Sequence, residues 1–279
     1  MIELFEYAFM KNALLAGVSL GMLLAYIGVF IVLKKMSFFG DGIAHASLAG
    51  VAAAILMNAN PIIGGVIAAI VFAIAIFFIE DRSEASGDAA IGMIFSFGMA
   101  LGILLMGFAP GYKTELISFL FGNILAISSA EAVISLFVAV IFTIVIFLIR
   151  KQLGLMALSD DLAAAEGIKT RPIKLLFYVM TAVSVVLGIK VLGIVLVSAA
   201  MIIPASCAKL TARSFAMTGL LAVIFSEVFV IGGIVSSYSL NIPTGSAIVL
   251  IGAASFMILR GIYFIARPST KGRGKASKK

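Results

Sequence analysis

Apolar residues run almost unbroken through nine stretches, at about 12–33, 37–57, 60–79, 89–109, 131–149, 175–189, 191–208, 215–235 and 243–264. Polar residues gather in the short breaks between them. Several stretches are near 20 residues long, enough at 1.5 Å of rise per residue to cross the roughly 30 Å hydrocarbon core of a bilayer. Backbone in hydrocarbon must satisfy its own hydrogen bonds, so only helices and closed barrels span it, and runs this long and continuous are not barrel strands. The pattern predicts an all-α, polytopic membrane protein with about nine transmembrane helices. The count is eight to ten, because 175–189 is short enough for a tilted, broken or partial span. Composition agrees: 63% of residues are hydrophobic and only 12% charged, with a mean hydropathy of +1.23, whereas a soluble domain is nearer half apolar and a quarter charged.

With nine spans the short connections alternate sides, and the basic residues divide sharply. One side receives Lys34, Lys35, Arg82, Arg150, Lys151, Lys169, Arg171, Lys174, Lys209 and Arg213, together with every Lys and Arg beyond residue 266. The other receives Lys11, Lys113 and Lys190, and Arg260 lies within the last span near its basic end. The positive-inside rule then places the C-terminus in the cytoplasm and the N-terminus outside. The net charge of +7 is thus topological, and a nucleic-acid partner is excluded. Residues 1–266 form one transmembrane domain, and 267–279 read as a disordered basic cytoplasmic tail that anchors topology. The acidic start, Glu3 and Glu6, lacks the basic opening of a secretory signal, so the first span is expected to stay in the membrane. A single cysteine, Cys207, rules out an internal disulfide. The GxxxG steps at Gly17/Gly21 and Gly98/Gly102 permit close helix approach, most simply within one subunit.

Candidate chemistry is concentrated in residues 39–50. Asp41 and His45, the only histidine, are spaced i and i+4 and so share one helical face. A carboxylate and an imidazole suit a first-row divalent ion such as Zn²⁺ or Mn²⁺, and a carboxylate in hydrocarbon usually lines a path or meets a partner. The structural alternatives are an imidazole bonded to a neighbouring carbonyl, and for Asp41 an N-cap or a salt bridge to Lys34 or Lys35. Glu227 is the other carboxylate deep in an apolar run. It is expected to be protonated and bonded to helix backbone, with a place on the path as the second reading. Glu115 and Glu131 flank 116–127 on the outer side, where they either form a negative vestibule or are ordinary loop carboxylates. Glu80, Asp81, Glu84 and Asp88 read as a solvated acidic turn, with Asp88 as a helix N-cap.

Residues 150–174 form the one long loop on the basic side. Within it 158–168 reads as a short helix, with Ser159 as N-cap, Asp160 and Asp161 at the positive helix end, and Gly167 as the stop. Arg171-Pro172 is expected to break the chain before the next span. A two-turn helix is marginal alone in water. Leu158, Leu162, Ala165 and Ile168 offer an apolar edge, either for a partner's groove or for the membrane surface.

Four segments carry a family resemblance: Gly40-Asp41-Gly42-Ile43-Ala44-His45-Ala46-Ser47-Leu48-Ala49-Gly50, Gly87-Asp88-Ala89-Ala90-Ile91-Gly92-Met93-Ile94-Phe95-Ser96, Phe119-Leu120-Phe121-Gly122-Asn123-Ile124-Leu125-Ala126, and the run from Gly193 to Ala208 containing Pro204. In this order the chain resembles the permease subunits of bacterial ABC importers for zinc, manganese and iron. Ala49 stands where that family often has proline. The resemblance implies a homodimer in the bacterial inner membrane with a translocation path near its two-fold axis. It implies two cytoplasmic ATPase subunits held by a coupling helix at 158–168, and an extracytoplasmic metal-binding protein that delivers the ion. Asp41 and His45 match the family's intramembrane metal-contact positions, so two copies of each make a transient four-ligand transport site for Zn²⁺ or Mn²⁺, with Fe²⁺ also admitted. No permanently bound cofactor is expected. Glu227 matches no motif position.

The chain is not an enzyme on this reading. It has no Gly-x-x-x-x-Gly-Lys-Ser/Thr loop, so ATP must be hydrolysed by a separate chain. A zinc protease needs His-Glu-x-x-His, which one histidine cannot supply. The remaining alternative is a secondary transporter or channel using Asp41, His45 and Glu227 without an ATPase, although no half-to-half repeat is visible.

Overall fold

The computed structural model describes residues 8–82, 87–108 and 127–266. Glu84, Lys113, Glu115, the segment 119–126 and the basic tail 267–279 lie outside the described residues. Among the described residues the order is α1 (Ala8–Leu33), α2 (Phe39–Leu56), α3 (Pro61–Arg82), α4 (Gly87–Phe108), α5 (Ser129–Leu148), α6 (Arg150–Leu158), α7 (Asp160–Ala165), α8 (Thr170–Leu192), α9 (Ile194–Thr211), α10 (Phe215–Leu240) and α11 (Thr244–Ala266). Nine of these are long and apolar enough to cross a membrane, all but the short α6 and α7.

The stretch at 175–189 is not a broken span. It belongs to α8, a continuous helix of 23 residues. Its apolar run looks short because Lys174 and Lys190 interrupt it, yet both charges are met by other helices. Lys174 Nζ lies 2.6 Å from Glu80 Oε1, and Lys190 pairs with Glu131. Arg171-Pro172 does not precede the helix but sits in its first turn, where the missing proline N–H has no intrahelical acceptor to lose. The break to α9 falls at Gly193, whose φ of +83° is strained for any residue with a Cβ.

α1 lies at the centre, packed against α5, α9 and α10, while α2 is clasped between α3 and α4 and also touches α8 and α9. The crossings are made at glycines. A Cβ on Gly28 of α1 would fall 1.9 Å from the carbonyl oxygen of Met201 on α9. A Cβ on Gly50 of α2 would fall 2.2 Å from the carbonyl oxygen of Gly64 on α3, and one on Gly64 would fall 2.4 Å from that of Gly50. Gly98 and Gly102 of α4 meet Ala46 and Ala49 of α2, and Gly21 of α1 meets Ser226 and Val230 of α10. The GxxxG faces are therefore used inside the chain, as expected. The core is sealed by fully buried large side chains such as Phe30, Phe39 and Tyr178. α5 and α11 leave most of their apolar surface outward, with Phe137, Ile144, Leu250 and Met257 exposed. Such faces suit lipid.

Replacing Gly28 with Ala forces α1 and α9 apart. Overpacking of this kind costs about 1–3 kcal/mol, so the thermal unfolding midpoint of the purified chain in detergent is expected to fall by several degrees. Gly107→Ala, whose Cβ would meet nothing within 4 Å, is the control, and equal midpoints for the two variants would contradict the close crossing.

Candidate metal site on helix α2

The chain reverses between α1 and α2 through Lys35, which takes φ +60°, and α2 begins at Phe39. Asp41 lies in its first turn, where the partial positive charge of unpaired backbone N–H groups favours a carboxylate. It does not cap the helix; the N-cap position is Phe38, which makes no side-chain cap bond. Nor does it pair with Lys34, whose Nζ is 3.0 Å from Asp160 Oδ1. Instead Ser198 of α9 donates its hydroxyl to Asp41 Oδ1 at 2.5 Å.

The flanking glycines explain how α9 gets so close. A Cβ on Gly40 would come 3.2 Å from Met201 Sδ and 3.5 Å from Ser198 Oγ. A Cβ on Gly42 would come 2.7 Å from the Ile91 side chain of α4. The two glycines let α9 and α4 close on either side of Asp41.

His45 Nδ1 is 2.9 Å from the backbone oxygen of Asp41. A carbonyl can only accept, so in the neutral ring Nδ1 carries the proton and Nε2 keeps its lone pair for an outside partner. This is the arrangement usual for metal-ligating histidines, whose second nitrogen is tied to a carbonyl or carboxylate. The ring meets Phe95 of α4 edge-on, with centroids 5.1 Å apart. The expected structural alternative for His45, a bond to a neighbouring carbonyl, is therefore present, and it orients the ring rather than consuming it. Phe38, Asp41, His45 and Leu48 form one stripe that stays partly or fully exposed, while Phe39, Gly40, Gly42, Ile43, Ala44, Ala46 and Ser47 are buried. Among the described residues no group of three His, Cys, Asp or Glu side chains is close enough to hold an ion; one chain offers a pair.

The other carboxylates are placed differently from the sequence reading. Both Glu227 oxygens are buried without a hydrogen-bond partner, so the expected bond to helix backbone is not made. Glu227 faces Gly21 of α1 beside Ser226, whose hydroxyl is also unpartnered. Glu131 forms a capping box with Ser128 at the start of α5 and pairs with Lys190, so it is no free vestibule charge. Glu80 is not solvated: it is held by Lys174 and by Tyr178, which donates to Glu80 Oε2 at 2.6 Å. Asp81 is taken by Arg171, with Oδ2 3.0 Å from Nη2. Asp88 is inside the first turn of α4 rather than capping it.

The loop helix is shorter than 158–168 but made as its residues dictate. Ser159 Oγ accepts from Leu162 N–H, and Gly167 at φ +79° closes the other end. Gly167 N–H donates to Ala164 O and Ile168 N–H to Ala163 O, the paired bonds of a Schellman stop. Asp160 turns inward to Lys34, Asp161 stays exposed, and Leu158 and Leu162 are 79% and 59% exposed. Ala165 continues that open edge, whereas Ile168 is half-buried and leaves it.

Among the described residues, nine helices long and apolar enough to cross a membrane define a multi-pass membrane protein. The chain belongs to the ABC 3 transport family, which it matches over residues 6–262. It is 34% identical over 255 residues to the manganese transport system membrane protein MntC of Listeria monocytogenes, covering 91% of each chain. It is 32% identical over 257 residues to the high-affinity zinc uptake system membrane protein ZnuB of Haemophilus influenzae, covering 91% of this chain and 97% of that one. Among solved structures it is similar to PsaBC from Streptococcus pneumoniae in complex with Fab, with a TM-score of 0.81, 33% identity, and coverage of 96% of this chain and 95% of that one.

A single histidine makes the ring geometry directly readable. Nitrogen NMR of the protein labelled at His45, at a pH above the ordinary imidazole range, is expected to show the Nδ1-protonated neutral tautomer. An Nε2-protonated ring would contradict the backbone bond.

Proposed function

We propose that this chain is the membrane permease subunit of an ATP-driven importer for divalent transition metal ions, manganese or zinc, with ferrous iron also admitted, in the bacterial inner membrane. The observation that carries the reading is the Asp41–His45 pair. It is fixed by Ser198 and by its own backbone, partly exposed, and incomplete in one chain. Two copies related by a two-fold axis bring two carboxylates and two imidazoles to one ion. The carboxylates offset the ion's desolvation, and the ion keeps them ionised and the imidazoles neutral. A mixed oxygen and nitrogen set of this kind takes Mn²⁺ or Zn²⁺, which accords with relatives named for each.

The driving force comes from elsewhere. The sequence holds no phosphate-binding loop, so a pair of separate ATPase subunits supplies it, docked on the end of α6 and on α7 through Leu158, Leu162 and Ala165, with Asp161 and Gly167 shaping the ends of α7. An extracytoplasmic binding protein hands over the ion on the opposite side. The end bearing Lys34, Asp160 and Lys174 is cytoplasmic, and the N-terminus lies outside. ABC relatives favour this over a secondary transporter or channel, which would work without an ATPase.

In proteoliposomes holding the permease with its ATPase, Asp41→Asn and His45→Ala are each expected to abolish ATP-dependent manganese and zinc uptake while assembly survives. Ser198→Ala, which removes only the support, should weaken uptake affinity about tenfold, the lower end of outer-shell effects. Wild-type uptake by both ligand variants would remove the site. Uptake that persists on an ion gradient with no ATPase present would move the function to the secondary-transport class. A charge at the docking edge, Leu162→Glu, should lower co-purification of the ATPase, and an unchanged yield would remove the docking role.

A further inference from the structure

The end of the bundle nearest Asp41 holds a set of polar side chains that neither the ligand pair nor the docking edge uses. Asp160, the first residue of α7, bridges two cations: Lys34 Nζ at 3.0 and 3.3 Å, and Lys174 Nζ at 3.9 Å. Lys174 reaches on to Glu80 Oε1 at 2.6 Å, and Glu80 Oε2 accepts the Tyr178 hydroxyl at 2.6 Å. Tyr178 is fully buried. Its oxygen lies 3.2 Å from the sulfur of Met36, in the turn before α2, and its ring packs on Phe39 with centroids 4.8 Å apart. Phe39 opens α2, two residues before Asp41. An unbroken line of contacts thus joins the short loop helix to the base of the helix that carries Asp41 and His45, passing through α8 and α3 on the way.

We propose that Asp160, Lys174, Glu80 and Tyr178 are the positioning residues that couple movement of α7 to the placement of Asp41 and His45. This rests on the reading that α7 is where the ATPase docks. Three features argue for more than cohesion. The side chains of Lys34, Lys174 and Glu80 are only 14%, 11% and 18% exposed. Asp160 is more open, at 44%, but a pair as enclosed as Lys174–Glu80 is a poor stabiliser compared with apolar packing of the same volume, which leaves fixing which groups meet as its use. The charges balance, two cations against two carboxylates, so each position is set by the others. Finally, α7 is a six-residue helix whose Asp160 makes polar side-chain contact with both Lys34 and Lys174, while Ala163 is its buried apolar contact. A line of contact becomes a coupling path only when both ends are shown to bias it, and that sets the test.

The assembled permease–ATPase complex in proteoliposomes gives two rates, ATP hydrolysis and metal uptake, and the readout is their ratio. Tyr178→Phe removes one hydroxyl and leaves the ring on Phe39. Glu80→Gln removes one charge. For both, ATP hydrolysis is expected near the wild-type rate and metal moved per ATP is expected to fall about tenfold, the equivalent of one lost hydrogen bond to a charged group. Should Glu80→Gln fail to assemble, Tyr178→Phe decides alone. A wild-type ratio in assembled Tyr178→Phe overturns the proposal, and so does a proportional loss of both rates, because a purely structural role lowers the two together. The docking assumption fails separately, by full ATPase retention in Leu162→Glu, whatever the ratio in the other variants.

Discussion

The hydrogen bond from Ser198 to Asp41 ties α9 to the first turn of α2 and gives a carboxylate in an apolar bundle its partner. Without it Asp41 would sit in surroundings where an unsatisfied carboxylate costs several kcal/mol or more. The neighbouring glycines keep the space around it tight: a Cβ on Gly40 would come 3.2 Å from Met201 Sδ, and one on Gly42 2.7 Å from the Ile91 side chain of α4. The charge is tolerated because its surroundings are exact on one side and open on the other. That asymmetry is what the proposed transport function needs.

Much of this was legible in the chain. The nine apolar stretches became the nine long helices, because hydrocarbon leaves the backbone no alternative to helix. Ser159 and Gly167 acted as their chemistry dictates, since capping is a local effect. The Asp41–His45 spacing placed both residues on one stripe for the same reason. What failed was information held between helices. Lys174 and Lys190 looked like the ends of a short span, yet their partners Glu80 and Glu131 lie on α3 and α5. Glu80 read as a solvated turn residue because nothing near it in sequence announces Lys174 or Tyr178. Ser198, 157 positions from Asp41, was one small residue among many in a helix full of them, and only the packing of α9 against α2 gives it a role.

Glu227 is the instructive miss. A carboxylate in an apolar run was expected to bond to the helix backbone, yet backbone carbonyls in a continuous helix are already occupied by the i+4 N–H and open only at their second lone pair. In the structure both carboxylate oxygens are buried and unpartnered. Their setting is defined by Gly21 of α1, which allows α10 to come close. Glu227 sits on α10, a helix packed against α1, α9 and α11, while Asp41 and His45 meet Ser198 of α9 and Phe95 of α4 from α2. Depth in an apolar run alone does not separate these two settings; which helices each one faces does.

The two polar groupings at this end of the bundle obey opposite rules, and the difference follows from what each has to do. The cluster of Lys34, Asp160, Lys174 and Glu80 is satisfied within one chain: every charge has a partner, and enclosure raises the cost of any other arrangement. Such a group holds register. The Asp41–His45 pair is left half-made, with one carboxylate oxygen tied to Ser198 and one ring nitrogen tied to backbone. A four-ligand site completed inside a single chain would be a closed structural site, stable because nothing has to open for it to form. A site that exists only when two half-sites are brought into line can be assembled and taken apart by a shift of α2. Phe39 stands between the two groupings: its ring packs on Tyr178, and it precedes Asp41 by two positions. Under the proposed coupling, a movement that re-seats Phe39 changes the angle at which Asp41 and His45 are presented. Under the proposed function, this is how a soluble ATPase that never touches the ion can decide whether it is held.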